Sequence, residues 1–514
     1  MTDHQVLIVG AGPTGLVLAL WLTRSGIPVR IIDKTDSPGT TSRALVFHAR
    51  NLEFYHQLGI DRIAIERGIE FKAANLWLRG RRVGGVSFGD IGAPISPYGY
   101  ALIFPQDLHE QMLVEQLESL GVFVERGTEL ISFAQSENEV RAEIRKKPGE
   151  GEVCRVAYLA GCDGAHSTVR EKLGVGFPGG TYTETYYVAD ILANGPVING
   201  ELSLALDDAD FLAIFPMKGE GSARLVGTVR PNSDRQQELR WEEVSQTIIH
   251  HLKLNVEEVK WFSSYRVHHR VAAHFQKDNV FLLGDAAHIH SPVGGQGMNT
   301  GVGDAVNLAW KLAAVLKGDS PTSLLATYEP ERIAFARRLV ATTDRAFAFV
   351  NARGPIAKQV RTRIVPWLLP FLFRFTAVRR FMFKTVSQTQ IKYPNSPLSR
   401  GPAGTVQGGQ RLPWMQFEDA SGQRLDNFSV LTARQWQVHC YGDAPSQLKS
   451  MCEAQGLKLH VFPWNREARE AGLLRNAAYV VRPDGHVAIM DRRANSTTIR
   501  AYFDLWKPKS IKQG

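Results

Sequence analysis

The stretch from Gln5 to Asp33 constrains the fold more than any other part of this chain. An apolar run, Val6–Val9, has the composition of a buried parallel strand. Gly10, Gly12 and Gly15 follow it as G-x-G-x-x-G and lead into a helical segment. In such a turn the first glycine permits a tight bend, the second leaves room for a diphosphate, and the third lets helix and strand pack closely. The pattern therefore predicts a βαβ unit that binds a dinucleotide.

An acidic residue completes this unit at the end of a second apolar strand. Val29–Ile32 is that strand, and Asp33 follows it, 18 residues after Gly15. A carboxylate at this point can accept hydrogen bonds from a ribose diol, while the helix N-terminus offers unpaired N–H groups to a diphosphate. The alternative is a tight strand-to-helix turn without a ligand. The dinucleotide-binding residues predicted here are Gly10, Ala11, Gly12, Pro13, Thr14, Gly15 and Asp33.

Composition narrows the class of protein further. The chain has 514 residues, enough for two to four domains, and a net charge of +9. We interpret the positive charge as a basic enzyme surface that attracts anionic ligands, because no RNA-binding or zinc-finger pattern accompanies it. The four cysteines form no C-x-x-C pair, which argues against a metal site and favours a reducing compartment. Without an export signal or a membrane-spanning run, we expect a cytoplasmic protein that binds neither nucleic acid nor membrane.

One basic and apolar segment leaves open whether the protein contacts a membrane surface or a second subunit. Lys358–Lys384 carries seven basic residues and no acidic one around the apolar sequence VPWLLPFLF. Such a segment can lie on a membrane surface. We favour a helix pair, broken at Pro366 and Pro370, that packs on the protein body or on a second subunit. The sequence thus leaves a homodimer open.

Two further motifs follow the opening unit along the chain. The first is Gly161–Arg170, GCDGAHSTVR, and the second is Val280–Asn299, VFLLGDAAHIHSPVGGQGMN. With the opening unit, they resemble the single-component flavoprotein aromatic hydroxylases, the class A flavin monooxygenases. This resemblance covers about residues 4–395. The tail is similar to the thioredoxin-like C-terminal domain of the phenol hydroxylase-like and polyketide hydroxylase-like branches.

The resemblance implies an α/β architecture with a Rossmann-like FAD-binding domain into which a β-sheet substrate domain is inserted. The β-rich pattern between 184 and 270 fits the inserted sheet, and the Gly- and Pro-rich loop from 394 to 409 fits a domain boundary. The predicted domains are 1–183 and 271–325 for FAD binding, 184–270 for the substrate sheet, 326–395 for a helical segment, and 396–514 for the thioredoxin-like domain.

The family also implies contacts for individual residues. Asp285 would contact the ribityl chain of FAD, Asp163 would serve FAD and the pyridine nucleotide, and the turn after Pro292 would hold the flavin ring. Asp163 could instead cap the following helix. Asp33 and Lys34 replace the family's commoner Glu-Arg pair. The cofactor residues added by the resemblance are Lys34, Arg43, Gln106, Asp163, Gly284, Asp285, Pro292, Gly297, Met298 and Asn299.

The same resemblance implies a reaction. No second G-x-G-x-x-G follows a strand, so NADPH or NADH would bind transiently, reduce FAD and leave. Reduced flavin then reacts with O2 to a flavin hydroperoxide that attacks an electron-rich ring. Near the flavin we expect Pro292, Arg224 and His48 as catalytic residues. Arg224 could instead be an exposed strand residue, and for His48 simple packing is favoured. A structural role is also favoured for His288 and His290, because no third metal ligand accompanies them. The predicted substrate wall comprises Phe211, Ile214 and Phe215.

The sequence thus predicts an FAD-dependent, NAD(P)H-consuming monooxygenase that hydroxylates a phenolic or polycyclic aromatic compound. An alternative within this chemistry is oxygen insertion or epoxidation that remodels or inactivates an aromatic natural product. A halogenase is disfavoured because the G-W-x-W-x-I-P motif is absent. A third alternative is a non-catalytic protein that uses the nucleotide fold to bind prenylated GTPases.

Overall fold

A computed structural model describes residues 4–507 apart from several short stretches. The stretches outside the description are 40–43, 72, 88, 147–148, 150, 207–210, 230–239, 245, 293, 352–358, 361–363, 365–367, 369–370, 402–404, 420 and 432–434. The predicted site residue Arg43 lies outside the described residues, as do Pro366 and Pro370.

The described secondary structure alternates helices and strands along the whole chain. The helices are α1 (Pro13–Arg24), α2 (Ala49–Leu58), α3 (Asp61–Arg67), α4 (Gly89–Gly92), α5 (Gln106–Glu118), α6 (Thr168–Lys172), α7 (Gln246–His251), α8 (Gly297–Leu316), α9 (Tyr328–Asn351), α10 (Thr376–Val386), α11 (Ser446–Ala454), α12 (Arg466–Glu470) and α13 (Ser496–Trp506). Short 3-10 turns occur at Trp241–Glu243, Gly284–Ala286 and Thr322–Thr327.

The strands in chain order are β1 (Val6–Val9), β2 (Val29–Ile32), β3 (Val46–Phe47), β4 (Ile69–Phe71), β5 (Ala73–Leu78), β6 (Arg81–Ser87), β7 (Ala101–Ile103), β8 (Val124–Glu125), β9 (Thr128–Gln135), β10 (Val140–Lys146), β11 (Gly151–Val156), β12 (Tyr158–Gly161), β13 (Gly179–Asn194), β14 (Leu202–Leu206), β15 (Phe211–Pro216), β16 (Ser222–Val229), β17 (Asn255–Val271), β18 (Gln276–Lys277), β19 (Val280–Leu282), β20 (His288–Ile289), β21 (Gln416–Glu418), β22 (Arg424–Asp426), β23 (Gln437–Tyr441), β24 (Lys458–Phe462), β25 (Ala478–Val481) and β26 (Val487–Asp491).

A mostly parallel sheet carries the opening βαβ unit. Its order is β18-β19-β12-β1-β2-β8, and each neighbouring pair from β19 to β8 is parallel. Every residue of β1 and every residue from Gly15 to Leu22 in α1 is buried. These buried residues are all apolar because α1 lies between this sheet and the helices α5 and α8. The predicted dinucleotide-binding unit is therefore the centre of the main core.

A second sheet of eight strands runs in the order β20-β17-β13-β16-β15-β14-β5-β6. The predicted insertion at 184–270 supplies its centre, but the predicted boundaries are wrong. Residue 184 falls inside β13, while β5 and β6 come from the first predicted domain and β20 from the third. β5 and β6 form an antiparallel hairpin. The parallel pairing of β5 with β14 joins residues more than 100 positions apart. No local sequence pattern specifies such a pairing.

The C-terminal region forms a separate four-stranded sheet with order β24-β23-β25-β26. β23 and β24 are parallel, and β25 is antiparallel to both β23 and β26. Its core meets α8 where Trp310 and Trp436 make an edge-to-face contact with ring centroids 5.5 Å apart. The four cysteines are free and buried.

Buried charges fix this region against the rest of the protein. Arg482 donates to both carboxylate oxygens of Glu331 on α9, at 2.7 and 3.0 Å, and Lys311 on α8 donates to the same carboxylate at 2.9 Å. Burial alone would raise the pKa of the Glu331 carboxyl. The charges of Arg482 and Lys311 instead hold this pKa well below its usual value. All three side chains are fully buried, so each charge depends on its partners.

Replacing Glu331 by glutamine should therefore destabilise the protein strongly. The substitution keeps the shape but leaves two buried cations without their shared counter-ion, which costs about 3–5 kcal/mol. Glu470→Gln is the matched control, because Glu470 pairs with Arg466 on the surface, where water and salt screen such pairs and their loss changes stability little. Thermal denaturation compares the two variants, and equal melting temperatures would contradict this role of Glu331.

Candidate cofactor and active site

The three glycines of the opening motif have different surroundings. A Cβ on Gly10, whose φ is +103°, would lie 2.4 Å from the carbonyl oxygen of Cys162. A Cβ on Gly15 would lie 2.0 Å from the carbonyl oxygen of Gly10, whereas a Cβ on Gly12 would meet no atom within 4 Å. Gly10 and Gly15 are thus required by packing, and Gly12 borders open space of the kind that a diphosphate needs.

Asp33 holds the glycine loop in shape. One carboxylate oxygen accepts the backbone N–H of Ala11 at 2.7 Å, and the other accepts the backbone N–H and the hydroxyl of Thr35 at 2.8 and 2.6 Å. A carboxylate has about four acceptor positions, so Asp33 retains capacity for a ribose hydroxyl. Lys34 beside it is exposed.

Asp163 supports the cap of α6 and also borders the glycine loop. One oxygen accepts the Ser167 hydroxyl at 2.5 Å, and the other accepts the Val169 N–H at 3.1 Å. Its Cα would lie 2.9 Å from a Cβ on Gly10. Burial raises the pKa of Asp163 above its usual value. Ser167 is the N-cap residue of α6, and Asp163 supports the cap through its bonds to Ser167 and Val169. A cofactor contact of Asp163 stays a prediction.

Gln106 begins α5 on the side of Asp33. Its amide donates to Glu110 at 2.7 Å. Burial raises the pKa of Glu110, and the negative charge of Asp33 adds to that effect, so the two carboxylates lie near each other. Gln106 is thus close to the ribose-binding end of the predicted site.

Asp285 presents a free carboxylate in the turn after β19. The side chain is accessible to water and makes no hydrogen bond or ion pair with any residue in the described part of the chain. Surrounding protein nevertheless desolvates it and raises the pKa of the carboxyl above its usual value. An unpaired, partly desolvated carboxylate is costly to the apoprotein, and a hydroxyl-bearing ligand would satisfy it.

The turn after Pro292 leads into a helix with an open N-terminus. Gly294 and Gly295 have φ of +80° and +62°, and the 20-residue helix α8 begins at Gly297 without a side-chain cap. The backbone N–H groups of Gly297, Met298 and Asn299 have no hydrogen-bond partner among the described residues. These donors and the helix dipole suit a carbonyl that gains negative charge.

Asn299 and His48 lock this turn in place. The Asn299 amide donates to the carbonyls of Val46 and Gly295 at 2.8 and 2.7 Å, and its oxygen accepts the His48 N–H at 2.8 Å. The His48 ring donates from Nε2 to the carbonyl of Gly294 at 2.8 Å. Burial lowers the pKa of His48 to about 4. His48 is therefore a neutral residue that positions the turn, and its predicted acid–base role gains no support.

The three residues of the predicted substrate wall do not share one face of their strand. Phe211 and Phe215 are half-buried and alternate onto one face of β15. Ile214 is 1% exposed and belongs to the core that α7 covers on the opposite face. The prediction for Ile214 is wrong because neighbouring strand residues point to opposite faces.

Arg224 lies on the same face as Phe215, which it opposes in the strand register. Its guanidinium is buried and binds both oxygens of Asp190 at 2.6 and 2.7 Å. The alternative of an exposed strand residue is therefore wrong. A catalytic role for Arg224 stays a prediction.

Thr14 and Asp304 join the three motifs. A Cβ on Gly284 or on Gly301 would lie 2.6 or 2.3 Å from the Thr14 hydroxyl oxygen, so α1, the Asp285 turn and α8 are in close contact. Asp304 accepts the Gly284 N–H at 3.0 Å. Sequence reasoning missed Asp304. Its signal is a series of polar residues at helical spacing in an otherwise apolar helix, namely Asn299, Asp304, Asn307 and Lys311.

The site thus suits a dinucleotide whose diphosphate lies at the glycine loop and whose second group lies at α8, the arrangement of an FAD-binding protein. The family described as FAD binding domain matches residues 3–343, and the chain belongs to this family. FAD fits the open space at Gly12, the unpaired Asp285 and the free N–H groups of α8.

Comparisons with known proteins define the enzyme class. The chain is 33% identical to 6-methylpretetramide 4-monooxygenase of Streptomyces rimosus, over 97% of this chain and 92% of that protein. It is 32% identical to rifampicin monooxygenase of Streptomyces venezuelae, over 97% and 98%. The solved structure of OxyS anhydrotetracycline hydroxylase from Streptomyces rimosus has a TM-score of 0.78 and 25% identity, over 98% and 99% of the two chains.

The protein is therefore an FAD-dependent monooxygenase of the aromatic hydroxylase class, as the sequence predicts, with NAD(P)H as the co-substrate typical of that class. The remodelling alternative fits these relatives less well than hydroxylation does. Because the matched family domain ends at residue 343, the thioredoxin-like assignment of the C-terminal region stays a prediction. In the part of the chain that the structure describes, no helix is long and apolar enough to span a membrane.

Two alanine substitutions should separate folding from cofactor binding. Gly15→Ala places a methyl group on the Gly10 carbonyl and should prevent folding or lower the melting temperature sharply. Gly12→Ala meets no protein atom, so the protein should fold normally and lose FAD affinity because the methyl group occupies diphosphate space. Circular dichroism and the flavin absorbance of the purified variants test both expectations. Normal FAD content in Gly12→Ala would contradict the diphosphate assignment.

Proposed function

We propose that this monooxygenase hydroxylates a phenolic substrate of several fused aromatic rings, with O2 and NAD(P)H as co-substrates. The observation that supports this substrate class is an apolar face on the eight-stranded sheet. Neither β14 nor β15 carries a charged residue. The side chains that the strand register aligns on this face, each partly exposed, are Leu76, Leu78, Leu204, Leu206, Phe211 and Phe215.

This apolar face borders the turn that would hold the flavin ring. Leu204 and Phe215 pack against a small core that contains Val46. Val46 in turn accepts a hydrogen bond from Asn299 and lies against Gly295. Three neighbouring strands span about 10 Å, which matches the width of a fused-ring system better than that of a single phenol.

Relatives support the same substrate class. The names of two similar proteins from Streptomyces rimosus specify 6-methylpretetramide and anhydrotetracycline. The full-length match to the first of them extends over the sheet that carries the apolar face. We therefore propose a polycyclic aromatic compound for this enzyme also.

The protein's own groups have distinct tasks in this reaction. FAD, when bound, supplies hydride acceptance from NAD(P)H and the activation of O2. Gly12 and the N-terminus of α1 would bind its diphosphate, Asp285 its ribityl chain, and the N–H groups of Gly297 to Asn299 its ring carbonyl. The apolar face would orient the substrate and exclude water from the reacting atoms. Pro292 stays a predicted neighbour of the ring.

The test is a panel of phenols with one to four fused rings, each assayed for stimulated NAD(P)H oxidation and for a product that gains one oxygen atom. Phe215→Ala should raise KM for the best substrate about 10-fold or more, because a buried phenyl group contributes about 1.5–3 kcal/mol. Phe417→Ala, which removes a half-buried phenyl group from the C-terminal domain, should not. Stimulated oxidation that yields only peroxide for every compound would contradict the proposal.

A cluster of cations near the Asp163 turn supports a binding place for NAD(P)H. His268 and Arg270 lie on β17, and Arg270 pairs with Ile289 just before the flavin turn. Burial and the positive charges of the nearby Arg270 and Arg266 lower the pKa of His268. Neither Arg266 nor Arg270 makes an ion pair with a described residue. We propose that these cations attract the phosphates of the nucleotide.

Removing the two arginine charges should weaken nucleotide binding without changing the chemical step. Arg266→Gln with Arg270→Gln should raise KM for NADPH about 10-fold and leave kcat unchanged, because charged hydrogen bonds contribute about 1.5–3 kcal/mol to binding. Arg469→Gln, at an exposed position of the C-terminal domain, is the control. Steady-state kinetics at low and high salt measure the effect, and an unchanged KM for NADPH would contradict the proposed binding place.

We also propose a cytoplasmic location, which the four unpaired cysteines support. A homodimer stays a prediction.

A further inference from the structure

A chain of buried contacts connects the Asp285 turn to the far side of α8. Asp304 accepts the Gly284 N–H at 3.0 Å and the His288 Nε2–H at 2.7 Å with one carboxylate oxygen. It therefore holds both ends of the short segment that contains Asp285. Its other oxygen accepts Nε–H of Arg332 on α9 at 2.6 Å. Asp304 and Arg332 are each 1% exposed.

This series of buried contacts continues into the C-terminal domain through Tyr393. Arg332 donates to the Tyr393 hydroxyl at 2.8 Å. The Tyr393 ring packs on His486, with centroids 4.8 Å apart, and lies 5.5 Å from the Arg482 guanidinium. The Tyr393 backbone N–H donates to the carbonyl of Gly409 at 2.9 Å. The C-terminal domain thus fixes the position of Tyr393, and Tyr393 helps to fix Arg332.

We propose that Asp304, Arg332 and Tyr393 are positioning residues for the flavin half of the FAD site, and that the C-terminal domain anchors them. This inference rests on the proposed contact between Asp285 and the ribityl chain. Gly284 has a φ of +58°, and the turn that follows it is a single 3-10 turn. Arg170 donates to the Ala286 carbonyl in this turn at 2.9 Å. Asp304 bonds to both ends of the turn, at Gly284 and His288, and so helps to set the position of the Asp285 carboxylate.

The two ends of the cofactor should respond differently to changes in Asp304, Arg332 and Tyr393. The ADP end would lie at Gly12 and Asp33, and among the described residues no hydrogen bond joins either of them to Asp304, Arg332 or Tyr393. A loosened Asp285 turn should therefore weaken the binding of FAD and leave the binding of ADP unchanged. A general loss of folding would weaken both. ADP is thus the probe that distinguishes positioning from simple stabilisation.

The experiment uses the full-length protein, stripped of FAD and titrated with FAD or with ADP. Tyr393→Phe removes one hydroxyl and keeps the ring on His486, while Asp304→Asn removes the charge that binds Arg332. We expect FAD Kd to rise about 5-fold in the first and more than 10-fold in the second, with ADP Kd unchanged. Tyr441→Phe is the matched control, because its buried hydroxyl bonds to Asn427 inside the C-terminal domain, and it should change neither value.

Asp285→Ala distinguishes failure of this inference from failure of the site assignment. If Asp285→Ala weakens FAD binding but Tyr393→Phe and Asp304→Asn do not, the positioning role is wrong and the site assignment stands. If Asp285→Ala leaves FAD Kd unchanged, the ribityl assignment and the inference that rests on it are both overturned. Equal loss of FAD and ADP binding in Tyr393→Phe would show a folding role only. Should Asp304→Asn fail to fold, Tyr393→Phe alone decides between these outcomes.

Discussion

The close approach of α1 to α8 is the constraint on which the rest of the site depends. Gly284 and Gly301 have no side chain where α1, the Asp285 turn and α8 meet, and Thr14 fills the space between them, while Gly15 lies against Gly10 and Cys162. Each added methyl group there would overlap a neighbouring atom. Because protein interiors are packed at crystal-like density, such overlap would move a whole helix. The three motifs of the family are therefore held together by packing before any cofactor binds.

Buried charge then sets the relation between this core and the C-terminal domain. The Glu331 carboxylate forms ion pairs with Arg482 and with Lys311, and all three side chains are shielded from water. Arg411 and Arg50 pair with Glu53 in the same way near the start of α2. Buried ion pairs seldom add much net stability, but they penalise any arrangement that separates the partners. They therefore specify one orientation of the C-terminal domain relative to the helices that carry the flavin turn.

The same arrangement leaves certain groups unsatisfied, and these groups mark the site. Asp285 has no partner among the described residues, and the N-terminus of α8 has open N–H groups. The sheet face that carries Phe215 stays partly exposed beside them. Asn299 and Asp304, which lie beside these groups, are paired within the protein. Unpaired donors, an unpaired carboxylate and an uncovered apolar face therefore occur together where a flavin and an aromatic substrate would meet.

The sequence by itself determined the dinucleotide unit and the FAD family, and the cofactor residues that it names stay predictions. Glycines and strand-terminal acids act through the local backbone, so their spacing is readable without the fold. Only the tertiary structure decided that Ile214 faces the wrong side of its sheet, that His48 positions a turn, and that β5 joins β14. It also decided that Asp304 meets Arg332. Pairings of this kind depend on strand register and on charges from distant elements, which local patterns do not specify.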